Sequence, residues 1–222
     1  MPGRIQVPND DELLKAISWF AKNPTGFVQH IIGAEPDPWQ AEALNALARG
    51  HHVAIRSGHG VGKTALTAWA ILWKLTCFPF STIPCTAPTQ RQLNDVLWAE
   101  IARWLQGSQV LSTLLWWTAT RVSVKGFEAR WFAVARSAAR PENLAGFHSE
   151  HLLYVVDEAS GVDDELMMVV EGALTTGKAQ ALLVSNPTRP SGYFIDRWNP
   201  AKAGDRWFTM TVSAEDSPRV SR

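Results

Sequence analysis

Eight consecutive residues, Ser57-Gly58-His59-Gly60-Val61-Gly62-Lys63-Thr64, combine glycines, one ammonium and one hydroxyl at a spacing suited to holding phosphate. Glycines let such a loop curl until successive backbone N–H groups and the start of a following helix point at an anion. Lys63 would then reach the β- and γ-phosphates, and the Thr64 hydroxyl would ligate Mg²⁺. The pattern G-x-x-x-x-G-K-[ST] is imperfect, since Ser57 stands at its first glycine, but Gly58 and Gly60 keep the loop pliable. The competing reading is a glycine-rich turn capping a helix with an incidental lysine.

A second group is Asp157-Glu158, directly after the apolar run Leu152-Leu153-Tyr154-Val155-Val156. Acids at the end of a buried parallel strand emerge at the carboxyl edge of the sheet, where open α/β folds bind ligands. Asp157 would hold Mg²⁺ through water, and Glu158 would polarise a water for in-line attack on a γ-phosphate. The plain alternative is a pair of ordinary strand-end acids. A third group, Ser185-Asn186-Pro187, ends another apolar run; its small polar residues suit contact with both the phosphate region and a moving element, or simply a turn. Gln40, next to Trp39, is a candidate to hydrogen-bond adenine, or a solvent-facing glutamine. An arginine is wanted for transition-state charge, and Arg56, Arg91 and Arg140 are the candidates, among which the sequence does not choose. His59 either contacts phosphate or is a loop-tip residue, and no histidine cluster has metal-ligand spacing.

These residues need a sheet edge to meet on. Val53-Ala54-Ile55 predicts a strand before the glycine loop, and Thr64 to Leu75, rich in Ala, Leu and Trp, a helix after it. Ser81 to Thr86, Leu152 to Val156, Ala181 to Val184 and Trp207 to Val212 read as further strands. Gln90 to Leu105 reads as a helix, and the stretches 121–124 and 130–135 as a hairpin around Gly126. Strands alternating with helices imply a mainly parallel sheet with helices on both faces. Asp157 follows Lys63 by 94 positions, room for an additional strand, Ile83 to Thr86, between the loop strand and the acid strand. Upstream, Asp10 to Phe20 predicts a helix with acids at its start, and Pro38 to Ala48 a second. The expected organisation is a helical extension over 1–50, a nucleotide-binding core over 51–212 and the start of a linker over 213–222.

The chain has 222 residues, a length that suits one large domain. Its 21 Lys+Arg balance 21 Asp+Glu, which argues against a simple nucleic-acid-coating protein. The balance is a sum of opposed pieces: residues 121–140 carry five basic residues and one acid, and residues 142–171 eight acids and no Lys or Arg. The basic piece is a candidate DNA or neighbour-subunit surface. Cys77 and Cys85 have no second pair, which excludes a disulfide scaffold and suits core packing in a reducing compartment. The start carries no apolar run, and no stretch reaches the roughly 18 apolar residues of a membrane span. The eleven tryptophans read as core and interface material.

Taken together, Pro38-Trp39-Gln40, the loop ending Gly62-Lys63-Thr64, Thr86-Ala87-Pro88-Thr89, Glu142 to His148, Val156-Asp157-Glu158-Ala159 and Ser185-Asn186-Pro187 resemble the ATPase domain of the large terminase subunit of tailed bacteriophages. The resemblance covers roughly Pro38 to Arg219. It implies an α/β, RecA-like ASCE P-loop fold, with ATP and Mg²⁺ as cofactors. It also implies that the chain drives double-stranded DNA into a procapsid through the portal protein, alongside a small terminase subunit, as a homo-oligomeric ring in the host cytoplasm with no membrane role. By the same resemblance Gln40 falls on the adenine motif, Ser57 to Thr64 on the phosphate loop, Asp157 and Glu158 on the Walker B pair, and Ser185-Asn186-Pro187 on the coupling motif. Family members often carry an arginine inside the phosphate loop, where this chain has His59 and puts Arg56 just before it. Only 36 residues follow Asn186, so the family's C-terminal nuclease is not expected in this chain, and Glu215 to Val220 resembles the start of the interdomain link. The rivals are one lobe of a superfamily-2 helicase, which would need a second RecA-like domain, and a nucleotide-switch module, which would not need Glu158.

Overall fold

The structure, a computed structural model, describes residues 9–175 and 178–214. Asn9 and Glu12 form a reciprocal capping box that starts α1 (Asp10–Lys22). The chain continues through the short α2 (Pro24–Phe27) and a π-helical turn, Val28–Ile32, to α3 (Pro38–Ala48). Then come β1 (His52–Ser57) and α4 (Lys63–Cys77), the strand, loop and helix expected around the glycines. β2 (Thr82–Thr86) leads to α5 (Gln90–Gln92), which widens into a π-helical stretch, Leu93–Trp98, and continues as α6 (Ala99–Gly107). α7 (Gln109–Leu114) precedes β3 (Leu115–Trp117), β4 (Arg121–Val124) and β5 (Phe132–Ala135). The remainder is β6 (Leu153–Asp157), α8 (Asp164–Leu174), β7 (Gln180–Ser185), α9 (Tyr193–Asp196), α10 (Pro200–Ala203) and β8 (Trp207–Val212).

Among the described residues, eight strands form one sheet in the order β3-β4-β5-β2-β6-β7-β1-β8. From β5 to β8 every neighbouring pair is parallel, and β3-β4-β5 is an antiparallel ribbon at one edge. The hairpin between β4 and β5 was legible in the sequence. Ile83 to Thr86 forms the extra strand expected between the loop strand and the acid strand in the chain, as β2; in the sheet β2 lies beyond β6, and the strand between β1 and β6 is β7. Sequence distance shows that a strand is inserted; it does not say where that strand sits in the sheet, because crossover connections reorder strands in space.

The central strands read as unbroken apolar runs because both their faces are covered. On one face Val53, Ile55, Leu153, Val155, Leu182 and Val184 pack with α3, α4 and α6. On the other, Ala54, Tyr154, Val156, Ala181 and Leu183 pack under α8 and α9. Helix α4 is the central helix of the first layer: thirteen of its fifteen residues are buried, Trp69 and Trp73 completely. Cys77 and Cys85 are buried free thiols, as expected of core packing. No discontinuity in the core separates the stretch before residue 50 from the sheet and its helices, since Phe27, Val28, Leu44 and Leu47 belong to the same cluster as β1 and α4. Glu215 to Val220, read from the sequence as a linker, lies outside the described residues.

The apolar spacing of α1 does not translate into burial. None of its residues is buried, and Leu13, Leu14, Ile17 and Trp19 are exposed. Of the tryptophan pair read as core and interface material, Trp116 is 58% exposed on the edge strand β3. No helix among the described residues is long and apolar enough to cross a membrane.

Candidate nucleotide site

Three adjacent strands bring the chemistry together. β6 ends at Asp157, β7 at Ser185 and β1 at Ser57, and the registers pair Asp157 with Val184 and Arg56 with Ser185. Their carboxyl ends therefore open side by side onto the glycine loop. Gly60 has φ 76° and Gly62 φ 97°, backbone that a side chain would strain, so the glycines serve the curl that leads into α4. Ser57 stands where the usual motif has glycine, is buried, and lies with its hydroxyl 3.1 Å from the Gly58 carbonyl oxygen.

Lys63 is 8% exposed and its Nζ donates to Asn186 Oδ1 at 2.5 Å and to the Gly58 carbonyl at 2.9 Å. Burial lowers its pKa, and the negative charges of Glu158 and Asp157 oppose that shift. Asn186 also meets the loop from its nitrogen side, with Nδ2 2.6 Å from His59 Nε2. One side chain of the strand-end motif thus touches both the ammonium and the histidine of the phosphate loop. Thr64 follows Lys63 at the first turn of α4.

Asp157 is 4% exposed and its carboxyl is pushed up to about 6, first by burial and then by the charge of Glu158, against the pull of the Glu158 N–H and Lys63. Glu158 has φ 48° and ψ 45°, a left-handed conformation that a non-glycine residue adopts only under constraint. That turn swings its carboxylate toward β7. Glu158 Oε2 accepts from the Asn186 N–H at 3.3 Å and lies 3.2 Å from Ser185 Oγ.

The other sequence candidates occupy different surroundings. Gln40 is fully buried; its Oε1 accepts from the Asp37 N–H at 2.8 Å and its Nε2 donates to the Gly62 carbonyl at 2.9 Å. It is tied to the phosphate loop through Gly62, and the solvent-facing alternative is corrected, because the residue is fully buried. Arg56 donates from Nε to Thr211 Oγ1 at 2.7 Å, stacks 4.9 Å from the Trp198 ring, and borders a cleft of about 390 Å³ shared with Gly58, His59 and Asn186. Arg91 is 91% exposed and pairs with Asp95 one turn along its helix, and Arg140 is exposed. Of the three, Arg56 lines the same cleft as the loop residues Gly58 and His59.

Two residues that sequence reasoning did not single out join the site, Ser160 and Arg189. Each is an ordinary residue type in a loop, and the only signal was position, close after Glu158 and after Asn186. The basic stretch 121–140 is largely engaged with aromatic rings: Arg121 lies 4.0 Å from Phe132, Arg130 4.3 Å from Phe80 and Arg136 5.8 Å from Phe147. Among the described residues no cluster of three or more His, Cys, Asp or Glu could hold a metal.

The chain that carries this combination, a glycine loop and lysine at the end of one strand and an Asp-Glu pair two strands away, is similar to known proteins. No family model matches the chain. A probable terminase large subunit from Enterobacteria phage P7 is 32% identical over 209 residues, covering 86% of this chain. The chain belongs to the family of the phage large terminase subunits. The chain spans 41% of the length of that relative. Solved structures carry the fold further. The large terminase ATPase domain of Thermus phage P74-26 superposes with a TM-score of 0.67 at 16% identity, covering 87% of each chain. The large terminase of bacteriophage HK97 gives 0.65 at 18% identity over 86% of this chain and 43% of its own. The large terminase of a thermophilic bacteriophage, in complex with ADP, gives 0.65 at 13%, over 84% and 48%. These establish the RecA-like α/β fold read from the sequence.

Proposed function

We propose that this chain is the ATP-hydrolysing motor domain of a DNA-packaging terminase, coupling hydrolysis to movement of double-stranded DNA into a procapsid. The observation that carries the reading is the convergence of Lys63, Asn186 and Glu158: the loop ammonium, the strand-end amide and the carboxylate form one bonded cluster at the carboxyl edge of the sheet. A non-catalytic switch module gives no reason for a carboxylate held there in a strained left-handed turn.

The donor set fits Mg²⁺-ATP. A hydroxyl and a buried carboxylate, Thr64 and Asp157, are hard oxygen ligands of the kind Mg²⁺ takes from proteins, one or two at a time with phosphate and water completing the shell. Bound Mg²⁺ would neutralise charge on the phosphate oxygens. The loop N–H groups and the Lys63 ammonium bind phosphate, and Lys63 exchanges Asn186 Oδ1 and the Gly58 carbonyl for it. Glu158 takes a proton from the attacking water, which adds to the γ-phosphorus as the bond to the ADP oxygen breaks, giving ADP and phosphate. Asn186 feels the Lys63 exchange through its side chain and holds Glu158 through its backbone N–H, so loop occupancy reaches the carboxylate through one residue. Gln40 supports the loop through Gly62. Arg56 is the finger candidate in this chain, and Arg91 or Arg140 would act only on a neighbouring subunit in a ring. Portal protein and small subunit are the partners this reading implies.

The test is paired. Glu158→Gln should keep nucleotide affinity while turnover falls at least about a hundredfold, and Lys63→Ala should lose affinity. Near wild-type hydrolysis by Glu158→Gln overturns the reading.

A further inference from the structure

Ser160 lies in the tight turn Ala159–Gly161 that follows Glu158 and is 4% exposed. Its Oγ accepts from the Thr188 N–H at 3.1 Å and from the Arg189 N–H at 3.0 Å, and Thr188 Oγ1 lies 3.1 Å away. A serine hydroxyl has two acceptor lone pairs, and the two backbone N–H groups fill both. Its backbone N–H donates to Ser185 Oγ at 3.1 Å. The Ser185 hydroxyl has two acceptors within reach, the Asn186 carbonyl at 2.7 Å and Glu158 Oε2 at 3.2 Å, and one proton for both. By filling a lone pair of Ser185, the Ser160 N–H fixes that rotor with its proton on the side of the two acceptors. The guanidinium of Arg189 reinforces the join, reaching the Gly161 carbonyl at 3.4 Å and Asp163 at 3.6 Å.

We propose that Ser160 is a positioning residue for Glu158: its hydroxyl stitches the turn after the acid pair to residues 188–189, so that Glu158, Ser185 and Asn186 keep their mutual geometry and move as one unit. The proposal rests on the reading of Glu158 as the base in ATP hydrolysis. It explains why a buried serine spends both acceptor lone pairs on a segment 28 residues away. Removing the hydroxyl takes the acceptor from the Arg189 N–H, leaves the Thr188 N–H only the Asn186 carbonyl at 2.9 Å, and frees the strand-end segment from the turn. Phosphate binding by Lys63 and the glycine loop does not pass through Ser160, so the effect falls on turnover and not on affinity.

The experiment measures single-turnover ATP hydrolysis and nucleotide affinity for the 222-residue chain and for Ser160→Ala, Ser160→Thr, Glu158→Gln and the Ser160→Ala/Glu158→Gln pair. Ser160→Ala should lower turnover about tenfold or more with affinity within about threefold, a loss of about 1.4 kcal/mol of transition-state stabilisation for each factor of ten. Ser160→Thr, which keeps the hydroxyl, should restore most of it. In the Glu158→Gln background Ser160→Ala should cost little more, because a residue acting through a carboxylate has nothing to position once that carboxylate is gone. Wild-type turnover in Ser160→Ala, or the same loss with and without Glu158, overturns the proposal. If Ser160→Ala does not fold, Ser185→Ala cuts the parallel link, from the Ser160 N–H to the Ser185 hydroxyl, and should likewise lower turnover non-additively with Glu158→Gln; full additivity overturns the proposal equally. Failure of the underlying reading is distinct, since Glu158→Gln would then hydrolyse ATP like the wild type.

Discussion

The ammonium of Lys63 sits 2.5 Å from the side-chain oxygen of Asn186, across the sheet edge from its own strand and loop. A phosphate-loop lysine held this way is desolvated and already hydrogen-bonded, so an incoming phosphate has to compete with an amide for it. The bond joins the loop to the strand that separates it from the acid pair.

Asn186→Ala removes that competitor. Nucleotide affinity should stay at or above the wild-type level, whereas Lys63→Ala should weaken it by about tenfold or more, the loss expected for charged hydrogen bonds worth about 1.5–3 kcal/mol. Nucleotide titration of the two variants decides it; a large loss of affinity in Asn186→Ala would mean that the amide binds the nucleotide directly.

Glu158 occupies left-handed backbone, φ 48°. Glycine tolerates that conformation and alanine does not, at a cost of about 1–2 kcal/mol. Glu158→Gly should therefore be more stable than Glu158→Ala by about 1 kcal/mol in denaturant unfolding, although neither retains the carboxylate. Equal stabilities would show that the turn relaxes when the side chain is removed.

His52 is buried against Trp207, and its pKa is lowered to about 4 by burial first and then by Arg206, His51 and Arg197. The unfolded chain takes up this proton near pH 6.5 and the folded chain only near 4, so stability should fall as pH drops through that window. The contribution to the slope is at most about 1.4 kcal/mol per pH unit. Chemical denaturation between about pH 7 and 4 should show a shallower fall for His52→Gln; an unchanged slope would place the proton elsewhere.

Gln180 makes three buried hydrogen bonds: Oε1 accepts from Lys74 Nζ at 2.9 Å, and Nε2 donates to the Leu47 and His51 carbonyls at 2.8 and 3.0 Å. Lys74 is 3% exposed and its pKa is lowered by burial to about 8. Gln180→Leu should cost about 3 kcal/mol by leaving a buried ammonium without its acceptor. Adding Lys74→Met should recover part of that loss in thermal unfolding, and no recovery would assign the cost to the two carbonyls.

The strands, the phosphate loop and the acid pair were legible in the residue order, because each is a local pattern: an apolar run buried on both faces, glycines where the backbone must curl, acids where a strand ends. Ser57 in place of the first glycine did not obscure this, since the curl depends on Gly60 and Gly62. Which strand lies between the loop and the acids was settled by tertiary structure, because β7 reaches that place by a crossover that no spacing records. Folding also turned Gln40 inward onto the loop, left Leu13, Leu14, Ile17 and Trp19 of α1 exposed, and put Arg56 in a cleft beside the loop. It joined Ser160 to Thr188 and Asn186 to Lys63, contacts between residues 28 and 123 positions apart. A side chain's partner depends on where the sheet sends distant segments, and that is settled only when the strands have paired.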